Sequence, residues 1–358
     1  MLPVFYVFSR MAGTPYWWYG LPETSFHTEP ARLRLVQEWR SLRRFGSSSW
    51  DNIMSAKTLT SLVAKAGILI PMMSCPVRAD DSSPATQASK PYALTAHVDL
   101  VSAYYLRGVT TTYGNSYPGL GNAGADAPES TQPVLQWAAD LTHESGWYAG
   151  YWASRINYSY ERLGESYDDR TIVSGFQDNK SIENDFYGGY VGKAGDFSYT
   201  LGLNGYAYVN GKHADGVETR LGVGYKEFGL NAQTLLNDTV WGNQSDTYWS
   251  LTYATALPRD INFSTSLGWY IYGKEGKYLG TRDTLTDTSC GTGKAFVVNG
   301  CYAGNGPVTG GFRHVIFGLS QRIGNSGFGW SLQGIIGGVN RFGIHQANKG
   351  VGSINYFF

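Results

Sequence analysis

Beyond residue 79 this sequence has no run approaching the roughly 18 consecutive apolar residues that a membrane-spanning helix needs. Its mean hydropathy of −0.26 is likewise too polar for a bundle of membrane helices. Any crossing of a bilayer therefore has to be made by strands. Charge is scarce: Lys, Arg, Asp and Glu make up 16% of the chain, as 28 cations and 28 anions. Without a basic excess there is no electrostatic surface for nucleic acid, and that partner class is set aside. Cysteine is reduced to Cys75, Cys290 and Cys301, none with a second Cys or a His at metal-ligand spacing. G-x-S-x-G elements and paired-His metal motifs are missing too. The sequence thus assigns no catalytic, cofactor-binding or metal-binding residue, and no enzyme is expected. The turn residues His143, Glu144 and Ser145, with Asp140 on the same strand, are the nearest approach to a nucleophile–base–acid set, but neighbours on one turn do not easily form such an array.

What the chain does have is glycine and aromatic side chains, with 46 Gly, 26 Tyr, 16 Phe and 11 Trp. The fold does not start at once. Residues 54–79 combine Lys57 and Lys65, a short apolar core from Ala66 to Cys75, and small side chains at Val77 and Ala79. That is the pattern of a secretory signal cleaved after Ala79. Residues 1–53 precede it with no strand pattern, which predicts a gene-start artefact or a disordered segment. Residues 80–91 read as a polar periplasmic tail. In an exported chain, Cys290 and Cys301 in a Gly/Thr-rich stretch read as a disulfide.

From Tyr92 onward apolar residues recur at every second position, the period of a strand with one greasy face. Trp249, Leu251, Tyr253 and Leu257 oppose Ser250, Thr252 and Ala254; Leu221, Val223 and Tyr225 oppose Arg220, Gly222, Gly224 and Lys226. The pattern predicts twelve strands, over 93–107, 132–142, 147–157, 182–194, 197–209, 217–226, 229–239, 247–257, 261–272, 312–323, 327–339 and 349–358. Short connections such as 144–146 and 195–196 alternate with long ones such as 108–131 and 273–311. Short periplasmic turns, long external loops and aromatics gathered at strand ends describe an all-β, antiparallel up-and-down transmembrane barrel over 92–358. A soluble β-sandwich also alternates, but with shorter strands. Ile354, Tyr356 and Phe358 share one face of the last strand, as a C-terminal signal for the barrel-insertion machinery does.

Val134–Tyr158, with Glu183-Asn184-Asp185-Phe186-Tyr187-Gly188-Gly189-Tyr190, Gly195-Asp196-Phe197-Ser198-Tyr199 and Tyr253-Ala254-Thr255-Ala256-Leu257-Pro258, resembles the TorF family of porins, also known as the Gcw_chp family. The resemblance covers roughly 93–358 and implies an outer-membrane barrel with a pore role and no catalytic residues.

A charge on the lipid face near mid-membrane costs about 2–4 kcal/mol, so charged strand residues are expected to face inward. The pore-lining candidates are His97, Asp99, Arg107, Asp140, Arg155, Glu183, Asp185, Arg220, Lys226, His314 and Arg322, with Asn204, Gln233 and Gln333 among them. Two functions fit: a passive pore for small hydrophilic solutes, or a non-conducting structural or receptor barrel working through its external loops. Either places the chain in the outer membrane of a Gram-negative bacterium, with lipid, periplasmic chaperones and the insertion machinery as its partners.

Overall fold

Alternation of side chains across a pleated strand gives each strand two faces, and the order of the strands decides which face meets which solvent. A computed structural model describes residues 91–111, 127–169, 172, 180–273, 275–280, 308–341 and 343–358. The strands are β1 (Tyr92–Val101), β2 (Val134–His143), β3 (Trp147–Ile156), β4 (Ser181–Ala194), β5 (Phe197–Tyr208), β6 (Gly216–Tyr225), β7 (Phe228–Thr234), β8 (Thr247–Leu257), β9 (Ile261–Ile271), β10 (Gly310–Arg322), β11 (Phe328–Gly337) and β12 (Lys349–Phe357). Each pairs antiparallel with its sequence neighbours, and β1 pairs with β12 through His97↔Phe357 to Val101↔Ser353, which closes the ring. A closed ring has no sheet edge, so every ladder position in it finds a partner without water.

The polarity of this barrel is inverted relative to a soluble protein. Leu94 is 69% exposed and Trp147 63%, whereas Glu183 and His314 are 0% exposed. Leu201, Leu221, Leu251, Leu267, Leu332 and Ile354 all point out of the ring. An apolar exterior this continuous needs a non-aqueous surround. At the end carrying the short turns the outer face is aromatic, with Trp147 against Tyr190 (5.3 Å between ring centroids), Phe197 against Tyr225 (4.9 Å), Phe228 against Tyr253 (4.9 Å) and Phe328 against Tyr356 (4.9 Å). Trp249 and Trp269 stack at 6.0 Å nearer the other end. Aromatics at both ends with aliphatics between them match a bilayer's two interfaces and its hydrocarbon core.

Three sequence expectations require correction. The first strand stops at Val101, not at residue 107, because Arg107 lies in a 3-10 turn (Leu106–Gly108) with left-handed backbone, φ 48°. Arg155 is exposed: Trp152, Ser154 and Ile156 take the inward phase of β3, and Arg155 points away from the lumen beside Ile182. Lys226 is in the β6–β7 turn at φ 52°, exposed. The signal segment 54–79, the tail except Pro91, and Cys290 and Cys301 lie outside the described residues.

Candidate functional site

The polar faces of the strands line the lumen, and the chain's most concentrated chemistry lies in its loop-side half. After Val101 the chain leaves the wall, pairs Tyr104 with Ser130, and enters the ring. Thr110 and Thr111 fasten the exit of this segment: both backbone N–H groups donate to Gln346 Oε1 at 2.9 Å, and Thr110 Oγ1 donates to Ala347 O at 2.6 Å. Gly108 has to be glycine on two counts, its φ of +72° and a Cβ that would stand 2.7 Å from His314 Cβ.

Arg107 is thereby delivered to Glu218 on β6. Its Nη1 donates to Glu218 Oε1 (3.0 Å) and its Nη2 to Oε2 (2.5 Å), a two-pronged pair. Tyr270 and Tyr206 hydroxyls accept from the same guanidinium at 2.7 and 3.1 Å, and the Tyr206 hydroxyl donates to Glu218 Oε2 at 2.8 Å. The Tyr248 ring lies 4.6 Å from the guanidinium carbon. Both charged residues are buried, so the pair is held in a low-dielectric pocket with nearly all of its lone pairs and protons engaged.

A bulge in β10 adds to this site. The register of β10 on β9 shifts between Phe312 and His314, which buries Arg313 and His314 in succession. Arg313 Nε donates to the Arg107 carbonyl at 3.2 Å, and His314 Nε2 is 2.8 Å from the Tyr248 hydroxyl. Arg341, after β11, pairs with Asp246. A cavity of about 50 Å³ remains, bounded by Arg107, Glu218, Tyr206, Tyr270, Arg313 and Arg341 among others. At roughly 10–15 Å³ for each, that is room for a few water molecules.

The turn-side half of the lumen differs. Asp99 Oδ2 lies 2.9 Å from His97 Nδ1, and Asp99 accepts from Asn355 Nδ2 at 2.8 Å. Asp140 accepts from the Tyr187 hydroxyl at 2.5 Å, and the Arg220 guanidinium lies 5.1 Å from the Tyr187 ring. Gln233, by contrast, is buried at the loop end of β7 opposite Tyr248. Arg322 is exposed at the rim, over the Phe357 ring at 4.1 Å. From β6 to β10 the inward positions nearest the turns are small, among them Gly222, Gly224, Gly229, Ser264 and Gly318. Gly222, Gly224, Gly229 and Ser264 are only half-buried. Solvent therefore reaches the inside of the ring from this end.

On the outer rim, Asp168 accepts from Lys212 Nζ (2.6 Å) and His213 Nε2 (3.1 Å), and these donors hold its carboxyl below the usual aspartate range. The contact is expected to survive through that range as pH falls and to open only below the depressed value. Carboxyl NMR shifts of Asp168 compared with those of a His213→Ala, Lys212→Ala chain check this.

His143 and Ser145 do meet on their turn, with Nδ1 2.7 Å from Oγ. Asp140, however, belongs to the lumen and is bonded to Tyr187. Ile354, Tyr356 and Phe358 are exposed on the outer face.

Sequence reading missed Glu218 and Arg313. Glu218 shares the inward phase of Arg220, so strand alternation alone could have found it. For Arg313 the signal is the spacing of outward residues: Phe312 to Val315 is three positions, where an unbroken strand allows only even steps.

No curated protein matches the chain in sequence. Solved structures with similar folds include outer membrane phospholipase A from Escherichia coli, at 13% identity over 75% of this chain and 93% of that one, with a TM-score of 0.33. Salmonella typhi OmpF in complex with daunomycin aligns at 10% identity over 75% of this chain and 97% of that one, TM-score 0.31. Acinetobacter baumannii OccAB3 aligns at 7% identity over 75% and 98%, TM-score 0.31. The profile described as "Bacterial protein of unknown function (Gcw_chp)" matches residues 85–305, more than half of the chain, and this protein belongs to that family.

Proposed function

We propose that this protein is an outer-membrane pore for small hydrophilic solutes, narrowed at its loop end by the Arg107 turn. The observation that carries the reading is a turn-side inner face of small, half-exposed residues, leading to a polar interior, inside an apolar shell. Charges of opposite sign also stand on opposing walls. Glu183, Asp185 and Glu218 are on β4 and β6, and Arg313 is on β10, which lies six strands from β4 in a ring of twelve. The interior thus carries side chains of both signs, a device for sorting small solutes by charge and size. The resemblance to TorF porins points the same way.

The test is conductance of the exported chain in planar bilayers, where discrete steps with weak discrimination among small ions are expected. Arg220→Glu is expected to shift the reversal potential in a salt gradient toward cations, because Arg220 faces the lumen. Arg155→Glu is expected to leave it unchanged, because that side chain points outward. Equal shifts from both variants would overturn the assignment of faces.

The inserted turn also supports a second reading, a barrel that stays closed and acts through its loops as a receptor or adhesin. A folded, heat-modifiable barrel that shows no conductance steps even when the Arg107 contact is cut would select it.

A further inference from the structure

Among the described residues, no cation forms an ion pair with Glu183 or Asp185, two carboxylates on the inner face of β4, and the Arg107 guanidinium acts on them only at a distance. Glu183 and Asp185 are 0% and 1% exposed, and Asp185 receives one hydrogen bond, from Asn204 Nδ2 at 3.3 Å. The hydroxyls of Tyr104 and Tyr208 lie near Glu183, yet neither of its oxygens accepts a hydrogen bond. Asp185 Oδ1 and Asn204 Oδ1 are equally without a donor. The guanidinium of Arg107 is committed to Glu218. The fold therefore buries four acceptor oxygens of three neighbouring side chains on β4 and β5 and, among the described residues, brings no donor into hydrogen-bonding geometry with any of them, the Tyr104 and Tyr208 hydroxyls approaching Glu183 only loosely. Ionised carboxylates are strongly disfavoured in such a setting unless a positive charge joins them.

We propose that Glu183, Asp185 and Asn204 form a site for a hard divalent cation, calcium or magnesium, inside the barrel wall. The donors are all oxygen, with no sulfur or imidazole to favour zinc or copper. Two carboxylates balance a charge of two, and an amide carbonyl is a usual third ligand once the Asn204 amide, which here turns Nδ2 to Asp185, rotates to offer Oδ1. Among the described residues no three Asp, Glu, His or Cys side chains are placed to hold a metal ion, so the amide and water have to complete the coordination. Water fills the remaining positions, as these ions accept. The bound ion ties β4 to β5 and cancels the excess negative charge on that wall. The inference is independent of whether the barrel conducts.

Trp152 makes the site observable. It is buried on the inner face of β3 and pairs in register with Asp185. Terbium, a calcium substitute, is titrated into the full chain purified in detergent, and its luminescence is excited through tryptophan. The expected result is a saturable signal displaced by calcium. Asp185→Asn is expected to weaken binding at least about tenfold, since ligand charge sets affinity. Trp152→Phe should reduce the amplitude and leave the affinity unchanged, which locates the ion without touching a ligand. Glu227→Gln, an exposed turn carboxylate, should change nothing. The absence of a saturable signal means that the two carboxylates share a proton instead, and it overturns the proposal. So does a signal that keeps its full amplitude in Trp152→Phe.

Discussion

Arg107→Ala is expected to raise single-channel conductance several-fold while lowering the stability of the closed lumen. Both effects come from the same contact. Arg107 and Glu218 form a buried, two-pronged ion pair further held by Tyr206 and Tyr270. Removing one member of such a pair costs about 3–5 kcal/mol, because the other is left charged in a dry place. The barrel can avoid that cost by letting the 102–111 segment withdraw and water reach Glu218. The segment's remaining fastenings are hydrogen bonds such as those of Thr110 and Thr111 to Gln346, each with a net contribution of only about 0.5–1.5 kcal/mol. The open state should therefore be populated in the variant. Arg107→Lys keeps the charge but loses the planar fork, and an intermediate conductance is expected. Combining Arg107→Ala with Glu218→Gln removes the stranded charge, so stability should recover while conductance stays high. Bilayer recordings paired with thermal unfolding in detergent separate the two quantities. Conductance equal to that of the unaltered chain in both Arg107→Ala and the double variant would mean that the turn does not limit the pore.

The strands were legible because the bilayer imposes the pattern. A spanning strand has to alternate over about ten residues, so all twelve appear in the sequence near their observed positions, except that β1 ends at Val101 instead of 107 and β7 at Thr234 instead of 239. Errors arose where that constraint relaxes. Residues 102–106 keep an apolar, aromatic character after the strand has ended, and only the left-handed Arg107 and the glycine after it break the pattern. The cost of charge at mid-membrane predicts an inward Arg155, but the residue sits one position from the loop end of β3, where that cost falls to about 0–1 kcal/mol. The Arg107–Glu218 and Arg341–Asp246 contacts join residues more than ninety positions apart. Local periodicity carries no information about such meetings. They follow from which loop enters the ring, and packing settles that.

Leu267→Arg is expected to destabilise the barrel by about 2–4 kcal/mol, the cost of placing a guanidinium at mid-depth in hydrocarbon. Leu267 sits in the middle of β9, faces outward, and lies between Leu251 on β8 and Val315 on β10, so no polar neighbour can shelter the charge. Ser264→Arg, three residues earlier on the same strand, is the informative partner. Ser264 faces inward opposite Gly318, whose missing side chain leaves room for a long one. Its guanidinium would project into a hydrated lumen, with little expected loss of stability and a shift of ion preference toward anions. Urea unfolding of both variants in lipid vesicles measures the difference. Comparable destabilisation by the two would mean that the faces of β9 do not meet different solvents. A large loss from Ser264→Arg alone would place lipid on the side now assigned to water, and the barrel would have to be turned inside out.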